Sequence, residues 1–262
     1  MKIQEIINHL TQQGTWVNWN KTRDVILTGC TEREVDSVGV CWVATREVLQ
    51  QAKDLGIHFI ISHENMLYEE STSPYKAIYE ARNEKLSFCR ENDITVYRCH
   101  DVWDMMPVYG VSDVWARDIG ISFEPGVVSS YNRYAVVDLT VEEIAQKVAD
   151  AVKKYGQDGV QVVGDLNRRI TRMAMGTGAA TNVFSMLHYQ PELVIVSEDG
   201  INSWIAMQYC IDHNIAIVIC NHAACEIGGL KEMAVYLKQV FPHLEVTHLY
   251  EGYHLYTVQG KQ

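Results

Sequence analysis

Three histidines in the sequence lie at the carboxyl ends of apolar stretches that have the length of β-strands. The stretches and their histidines are Phe59–Ile61 with His63, Thr95–Cys99 with His100, and Ala216–Cys220 with His222. In open α/β sheets the carboxyl ends of the strands meet at one edge, where loops gather and ligands bind. The sequence therefore predicts a ligand site built from histidines at a sheet edge.

Two of these histidines have an acidic residue four positions further on, namely His100 with Asp104 and His222 with Glu226. Residues four apart share one face of a helix, so each pair can offer an imidazole nitrogen and a carboxylate to one metal ion. The spacing alone is weak support, because ten histidines predict about one such pair by chance. The position of both pairs after strands, with His63 and Glu64 at a third strand end, strengthens the prediction.

A set of imidazole and carboxylate ligands suits zinc, manganese, iron or cobalt, and carboxylates can bridge two cations. The first hypothesis is therefore a metal-dependent hydrolase that activates water on a small polar or nucleotide-like substrate. Glu64 or His100 is predicted as the general base, since each adjoins a proposed ligand. The second hypothesis is non-enzymatic: an oligomeric metal-binding scaffold or regulator whose surface recruits a partner.

The same residues also have other interpretations. Each histidine, taken singly, could cap a helix or form a hydrogen bond in a loop. A thiolate zinc site could use Cys99, Cys220 and Cys225, although these cysteines lack the CxxC spacing of zinc motifs. The glycine-rich turn in Met175–Asn182 could bind an anion. A tight turn is the preferred explanation, because the turn lacks the last glycine of GxGxxG and has no Walker lysine.

The composition argues against several classes of protein. The chain has 262 residues and a formal net charge of −11, which disfavours binding to nucleic acids. No apolar run is long enough to cross a membrane, and the first residues do not have the pattern of a signal peptide. Seven scattered cysteines indicate reduced thiols rather than disulfides. We therefore expect a cytoplasmic protein.

Strand and helix patterns alternate along the chain and predict an α/β fold with helices packed on mixed or mostly parallel sheets. A strand–helix–strand pattern in Val38–Glu64 recurs in Arg172–Asp199, which indicates two related lobes. The boundary is predicted near Gly126, giving residues 1–126 and 127–262, with the option that the C-terminal strand returns to the first lobe. The metal site is expected in the groove between the lobes. One continuous sheet is the alternative.

Two further expectations concern helices in the second half. Thr140 and Glu143 have the spacing of a capping box that opens a helix reaching about Tyr155. The last helix is predicted near Leu230–Val240.

With these motifs in order, the chain resembles the Nif-three-like family, whose members are also described as GTP cyclohydrolase I type two-like proteins with a dinuclear metal centre. The matching stretches are Ile60–Glu64, Arg98–Asp104, Met175–Asn182, Ser197–Asp199 and Cys220–Glu226. They lie in the family's order, and the resemblance extends from about Ile3 to about Tyr250.

The resemblance implies two divalent metal ions, with the ligands His63, Asp104, His222 and Glu226. Glu64 stands where the family has the second histidine of a His-His pair, and a carboxylate there can still bind a metal. His100 could orient a ligand instead of binding the ion itself. The resemblance also implies a homo-oligomer, since similar family members form ring-like hexamers.

Overall fold

The computed structural model describes residues 1–69, 72–124, 131–201 and 203–260. The chain forms two compact units, the first comprising Met1–Gly110 and Leu230–Gly252, and the second Val111–Gly229 and Tyr253–Gln262. The boundary predicted near Gly126 lies outside the described residues.

Nine α-helices and ten β-strands form within the described ranges. In chain order they are α1 (Ile3–Gln13), β1 (Val25–Thr28), β2 (Ser37–Val43), α2 (Arg46–Asp54), β3 (Phe59–Glu64), α3 (Lys76–Glu91), β4 (Thr95–Arg98), α4 (Asp101–Asp104), α5 (Val111–Ile119), β5 (Arg133–Thr140), α6 (Val141–Lys153), β6 (Gln161–Val163), β7 (Arg169–Met175), α7 (Val183–Met186), β8 (Leu193–Ser197), α8 (Trp204–Asp212), β9 (Ala216–Cys220), α9 (His222–Val240) and β10 (Glu245–His248). Across the part of the chain that is described, no helix combines the length and apolar character needed to cross a membrane.

The sheet of the first unit has the strand order β1-β4-β3-β2-β10. Strands β10, β2, β3 and β4 run parallel, and β1 is antiparallel to β4. Helices α2 and α3 connect the parallel strands, so the carboxyl ends of β3 and β4 lie at the same edge. The apolar side chains of α2, such as Val48 and Leu49, pack with Ile60 of β3 in a buried core.

The second unit has a sheet of the same size, in the order β5-β7-β8-β9-β6. Strands β7, β8 and β9 are parallel, while β5 and β6 are antiparallel to their neighbours. The presence of two separate mixed sheets with helices packed on them confirms the predicted α/β fold of two related lobes. It also excludes the alternative of one continuous sheet within the described residues.

Helix α6 begins as its sequence predicts. The Thr140 side chain accepts a hydrogen bond from the Glu143 backbone at 3.1 Å, and the Glu143 carboxylate accepts one from the Thr140 backbone at 2.7 Å. These two bonds satisfy amide groups that lack partners at a helix start. Ile144 and Val148 on the next turns are buried in the core of the second unit.

Helix α9 begins at His222 and not near Leu230, where its start was expected. The difference arises at Gly228 and Gly229, because glycine weakens a helix interior when judged from local sequence. Here both glycines are required by close packing. A Cβ at Gly228 would lie 2.7 Å from Tyr155 Oη, and one at Gly229 would lie 2.8 Å from the Cα of Val111.

We predict that Gly228→Ala destabilises the protein by about 1–3 kcal/mol, because the added methyl group overpacks this contact. Glycine-to-alanine changes in helix interiors usually stabilise the protein, by about 1 kcal/mol. A loss of stability in this variant therefore distinguishes close packing at Gly228 from an ordinary helix position. Urea denaturation gives the free energy of unfolding. The penalty should shrink in a Tyr155→Phe background, which removes the hydroxyl that donates to Asp118 at 2.6 Å. A stabilised Gly228→Ala variant would contradict this packing.

Candidate metal centre

The carboxyl ends of β3 and β4 bring together four of the predicted site residues in the first unit. His63 and Glu64 are the last two residues of β3. His100 follows β4 and immediately precedes α4, which ends at Asp104. Because β3 and β4 are parallel neighbours, residues that are far apart in the sequence meet at one edge of this sheet.

The Asp104 carboxylate contacts two stacked imidazole rings. The rings of His63 and His100 have centroids 4.5 Å apart and planes inclined by only 6°. Asp104 Oδ1 lies 3.3 Å from His63 Nε2, and Asp104 Oδ2 lies 3.1 Å from His100 Nδ1. Each carboxylate oxygen therefore faces a different ring.

The backbone fixes which nitrogen of His63 can bind a metal ion. His63 Nδ1 lies 3.2 Å from the carbonyl oxygen of Cys99. A carbonyl oxygen can only accept, so Nδ1 carries the hydrogen and donates it. In the neutral imidazole Nε2 then carries the lone pair, on the side of Asp104. Metal-binding histidines in proteins usually have this arrangement, with one nitrogen on a backbone or carboxylate acceptor.

His63, His100 and Asp104 fit a divalent metal ion by the chemistry of their donor atoms. One ligand atom from each residue lies within 4.8 Å of the others. His63 and Asp104 are buried, and His100 is largely so. Two imidazole nitrogens and a carboxylate suit zinc, iron, manganese or cobalt. The structure thus places His100 among the potential ligands, as the spacing of His100 and Asp104 indicates, whereas the family resemblance leaves it as an orienting residue.

Carboxylates surround His100 and control its charge. Burial lowers the pKa of His100, but Asp104, Asp101 and Glu64 outweigh that effect and hold the pKa well above its usual value. Burial alone would raise the pKa of Asp104, yet His100 and His63 hold it below the usual range. In the metal-free chain His100 is therefore protonated, and metal binding there must displace a proton.

Glu64, predicted both as a metal ligand and as a general base, is paired with Arg98. Its Oε2 lies 2.6 Å from Arg98 Nη2, and its Oε1 lies 3.5 Å from His100 Nε2. Burial tends to raise the pKa of Glu64, but His100, His63 and Arg98 together hold it well below its usual value. Glu64 is therefore ionised at neutral pH, with a cationic group beside each oxygen.

Asp24 fixes the start of α4, a role that the sequence did not indicate. Its buried carboxylate accepts backbone hydrogen bonds from His100 at 3.0 Å, Asp101 at 2.8 Å and Val102 at 3.4 Å. The Thr22 hydroxyl donates to the same carboxylate at 2.8 Å. Asp24 precedes β1, so its place beside α4 depends on the pairing of β1 with β4, which no local pattern predicts.

In the second unit, His222 and Glu226 form the predicted pair at the start of α9. His222 Nε2 lies 3.0 Å from Glu226 Oε2. His222 Nδ1 lies 2.7 Å from Asp199 Oδ2, after the end of β8. Asp199 thereby orients the ring so that Nε2 points at Glu226. Burial lowers the pKa of His222, but Glu226 and Asp199 outweigh it and raise this pKa to about 11.

Glu198 holds the backbone at the start of α9. Its Oε2 accepts a hydrogen bond from the His222 amide at 2.7 Å, and its Oε1 accepts one from the Asn221 side chain at 2.6 Å. An acidic residue in this position also interacts favourably with the positive end of the helix dipole. In both units a carboxylate from another segment thus fixes the helix start that carries a histidine and an acid.

The glycine-rich turn after β7 contacts the pair of His222 and Glu226. Gly178 has φ +56°, and a Cβ there would collide with Glu226 Oε1 and His222 Nε2. Its carbonyl oxygen accepts hydrogen bonds from Ser197 Oγ at 2.7 Å and Thr181 Oγ1 at 2.5 Å. The turn requires glycine here because the backbone is left-handed and passes close to a carboxylate. A bound anion is not needed to explain this glycine.

The alternative thiolate site receives no support from the geometry. The groups of three or more potential ligands found in the described residues contain no cysteine. Burial raises the pKa of the Cys99 and Cys225 thiols well above the usual thiol value, so a metal ion would have to displace tightly held protons there. The Cys225 thiol instead donates to the backbone carbonyl of His222 at 3.1 Å.

The chain is thus an α/β protein of two units. Both units carry histidine and carboxylate groups, the residue types that bind metal ions, at their strand ends. The family described as Duf34/NIF3 (NGG1p interacting factor 3) matches residues 1–251, so the chain belongs to this family. The resemblance inferred from the sequence motifs is thereby confirmed.

Individual relatives are more distant. A Clostridium perfringens protein named GTP cyclohydrolase 1 type 2 homolog is 25% identical over 194 residues, which are 70% of this chain and 72% of that protein. A Bacillus cereus protein related to NIF3 has a TM-score of 0.78 at 14% identity, with 99% of both chains covered. Reduced HcgD from Methanocaldococcus jannaschii has a TM-score of 0.73 at 19% identity, covering 95% of this chain and 98% of its own. At these identities, the two structures show the shared fold alone.

We predict that Asp24→Ala lowers the free energy of unfolding by about 2 kcal/mol, because three backbone amides lose a buried acceptor. Chemical denaturation of the metal-free protein measures this effect. Asp36→Ala, at an exposed position in the same unit, is the matched control and should change stability by less than about 0.5 kcal/mol. Equal stabilities for the two variants would show that Asp24 does not fix α4.

Proposed function

We propose that this chain binds two divalent metal ions and is a metal-dependent hydrolase. The observation that carries the proposal is the group formed by His63, His100 and Asp104, whose ligand atoms lie within 4.8 Å of one another, with His63 and Asp104 buried. Buried imidazoles and carboxylates gathered this closely need a compensating positive charge. A divalent ion would replace the proton of His100 in this role and at the same time satisfy several lone pairs.

The proposed ligands come from both units, and those of the first unit form the first group. His63, His100 and Asp104 belong to the first unit, with Glu64 beside them, and His222 and Glu226 belong to the second. These six imidazole and carboxylate side chains support the proposal of two ions per chain, which follows from the dinuclear centre that the family resemblance implies. The location of this centre in a groove between the lobes stays a prediction.

A bound divalent cation supplies Lewis acidity and lowers the pKa of water toward neutrality. The protein's own residues provide orientation. The Cys99 carbonyl holds His63 in the tautomer that leaves Nε2 as the ligand atom, and Asp199 does the same for His222. Glu64 is a weak proton acceptor at neutral pH because its pKa is held low. Its contact with His100 favours an orienting role, and the identity of the general base stays a prediction.

The substrate class follows from resemblance more than from the site. The Clostridium perfringens relative carries a cyclohydrolase name, which places nucleotides among the substrates to be tested. We include a cytoplasmic location and a homo-oligomer, hexameric as the resemblance implies, in the same proposal.

A second candidate function is a non-enzymatic scaffold or regulator. The family description itself names an interacting factor, which supports a role in partner binding. This candidate retains the same metal ligands but expects them to stabilise the fold or assembly and not to support turnover.

We predict that His63→Ala lowers the metal content of the purified, remetallated protein by about one ion per chain, because the first group loses a buried nitrogen ligand. Elemental analysis by mass spectrometry measures the stoichiometry. His58→Ala removes a histidine from the same unit outside the group and should keep the wild-type content of about two ions. A wild-type stoichiometry below one would count against the proposed sites.

We predict that Glu226→Gln abolishes hydrolysis, because it removes the charge of a proposed ligand while preserving its shape. The assay is a panel of phosphoesters, nucleotides and amides with added Mn²⁺ or Zn²⁺, accompanied by light scattering for the oligomer. Glu232→Gln, on the same helix, is the control and should retain activity. The absence of wild-type turnover on every substrate, together with loss of assembly in Glu226→Gln, would favour the scaffold.

A further inference from the structure

Glu64 occupies the position of a histidine in the family pattern, and the structure pairs it with a buried arginine. Arg98 is the last residue of β4, and its side chain is only 7% exposed. The guanidinium contacts Glu64 Oε2 through Nη2 at 2.6 Å, and its Nε donates to the carbonyl oxygen of His63 at 3.2 Å. Arg98 thus contacts both residues that end β3.

The pairing changes the charge that Glu64 brings to the group of His63, His100 and Asp104. A buried ion pair is close to neutral as a unit, whereas an unpaired buried carboxylate would add a full negative charge. With Oε2 bonded to Arg98, only Oε1 faces the group, at 3.5 Å from His100 Nε2. Glu64 is also restricted in position, because the register of β3 and β4 places Arg98 next to it.

This restraint affects which metal ions suit the group. Imidazole ligands favour ions such as Zn²⁺, and additional carboxylates favour harder ions such as Mn²⁺. While Arg98 holds Oε2 of Glu64, this carboxylate can offer only Oε1 to a metal ion beside His63. If Glu64 were released, both of its oxygens and its full negative charge would become available beside His63 and His100.

We propose that Arg98 is a selectivity-determining residue, which engages Glu64 and thereby keeps the first group selective for nitrogen-preferring ions over Mn²⁺. The inference rests on the proposed metal binding and goes beyond it by assigning the ion preference to a residue that is not itself a ligand. It also explains how this chain accommodates glutamate where the family pattern has histidine.

The test compares the dissociation constants of Zn²⁺ and Mn²⁺, measured by competition with a chelating indicator on metal-free protein. Arg98→Met removes the charge and retains a long apolar side chain. We expect the preference for Zn²⁺ over Mn²⁺ to fall about tenfold, within the range found for residues that contact metal ligands. The residues of the second unit are identical in every variant, so differences in the dissociation constants arise in the first group.

A double variant separates charge from packing. Adding Glu64→Gln to Arg98→Met removes the released carboxylate, and the ion preference should return to near the wild-type ratio. If the methionine variant does not fold, Arg98→Gln retains a donor beside Glu64 while removing the charge, and should shift the ratio in the same direction.

An unchanged ratio in the folded Arg98 variants would overturn the inference, and so would a shift that persists in the double variant. Both results require that the wild-type protein binds Zn²⁺ and Mn²⁺. Failure of the wild-type protein to bind either ion would instead overturn the proposed function, and this inference with it.

Discussion

The Asp104 carboxylate, with one oxygen toward each of two stacked imidazole rings, is the interaction on which the site in the first unit depends. Its geometry requires that β3 and β4 run parallel as neighbours and that α4 begins directly after His100. In a buried environment two imidazoles and a carboxylate are stable only with a compensating positive charge. In the metal-free chain a proton on His100 supplies that charge. The proposed metal ion would replace it.

The residues around this group hold it in place and are not themselves proposed as ligands. Asp24 fixes the first backbone amides of α4, and Arg98 fixes Glu64 and the end of β3. In the second unit Glu198 and Asp199 hold the backbone and ring of His222. Both units follow the same rule, in which a short parallel strand ends at a helix that carries a histidine and an acid one turn apart.

The parts of the site that were predictable are those that local sequence determines. The strand ends and the spacing of His100 with Asp104 are short-range signals, and the structure places these two residues together. Asp24 and Arg98 could not be predicted, because their roles depend on strand pairing and register. The start of α9 was placed too late, since the contacts that require Gly228 and Gly229 come from distant segments.

Metal binding at Asp104 can be checked in crystals of the remetallated protein, measured at the absorption edge of the added metal. We expect an anomalous peak within about 2.0–2.2 Å of His63 Nε2 and of an Asp104 oxygen, with His100 contributing a nitrogen. Crystals saturated with metal that show no peak at these three residues, and in which Asp104 still directly contacts both imidazole rings, would contradict it.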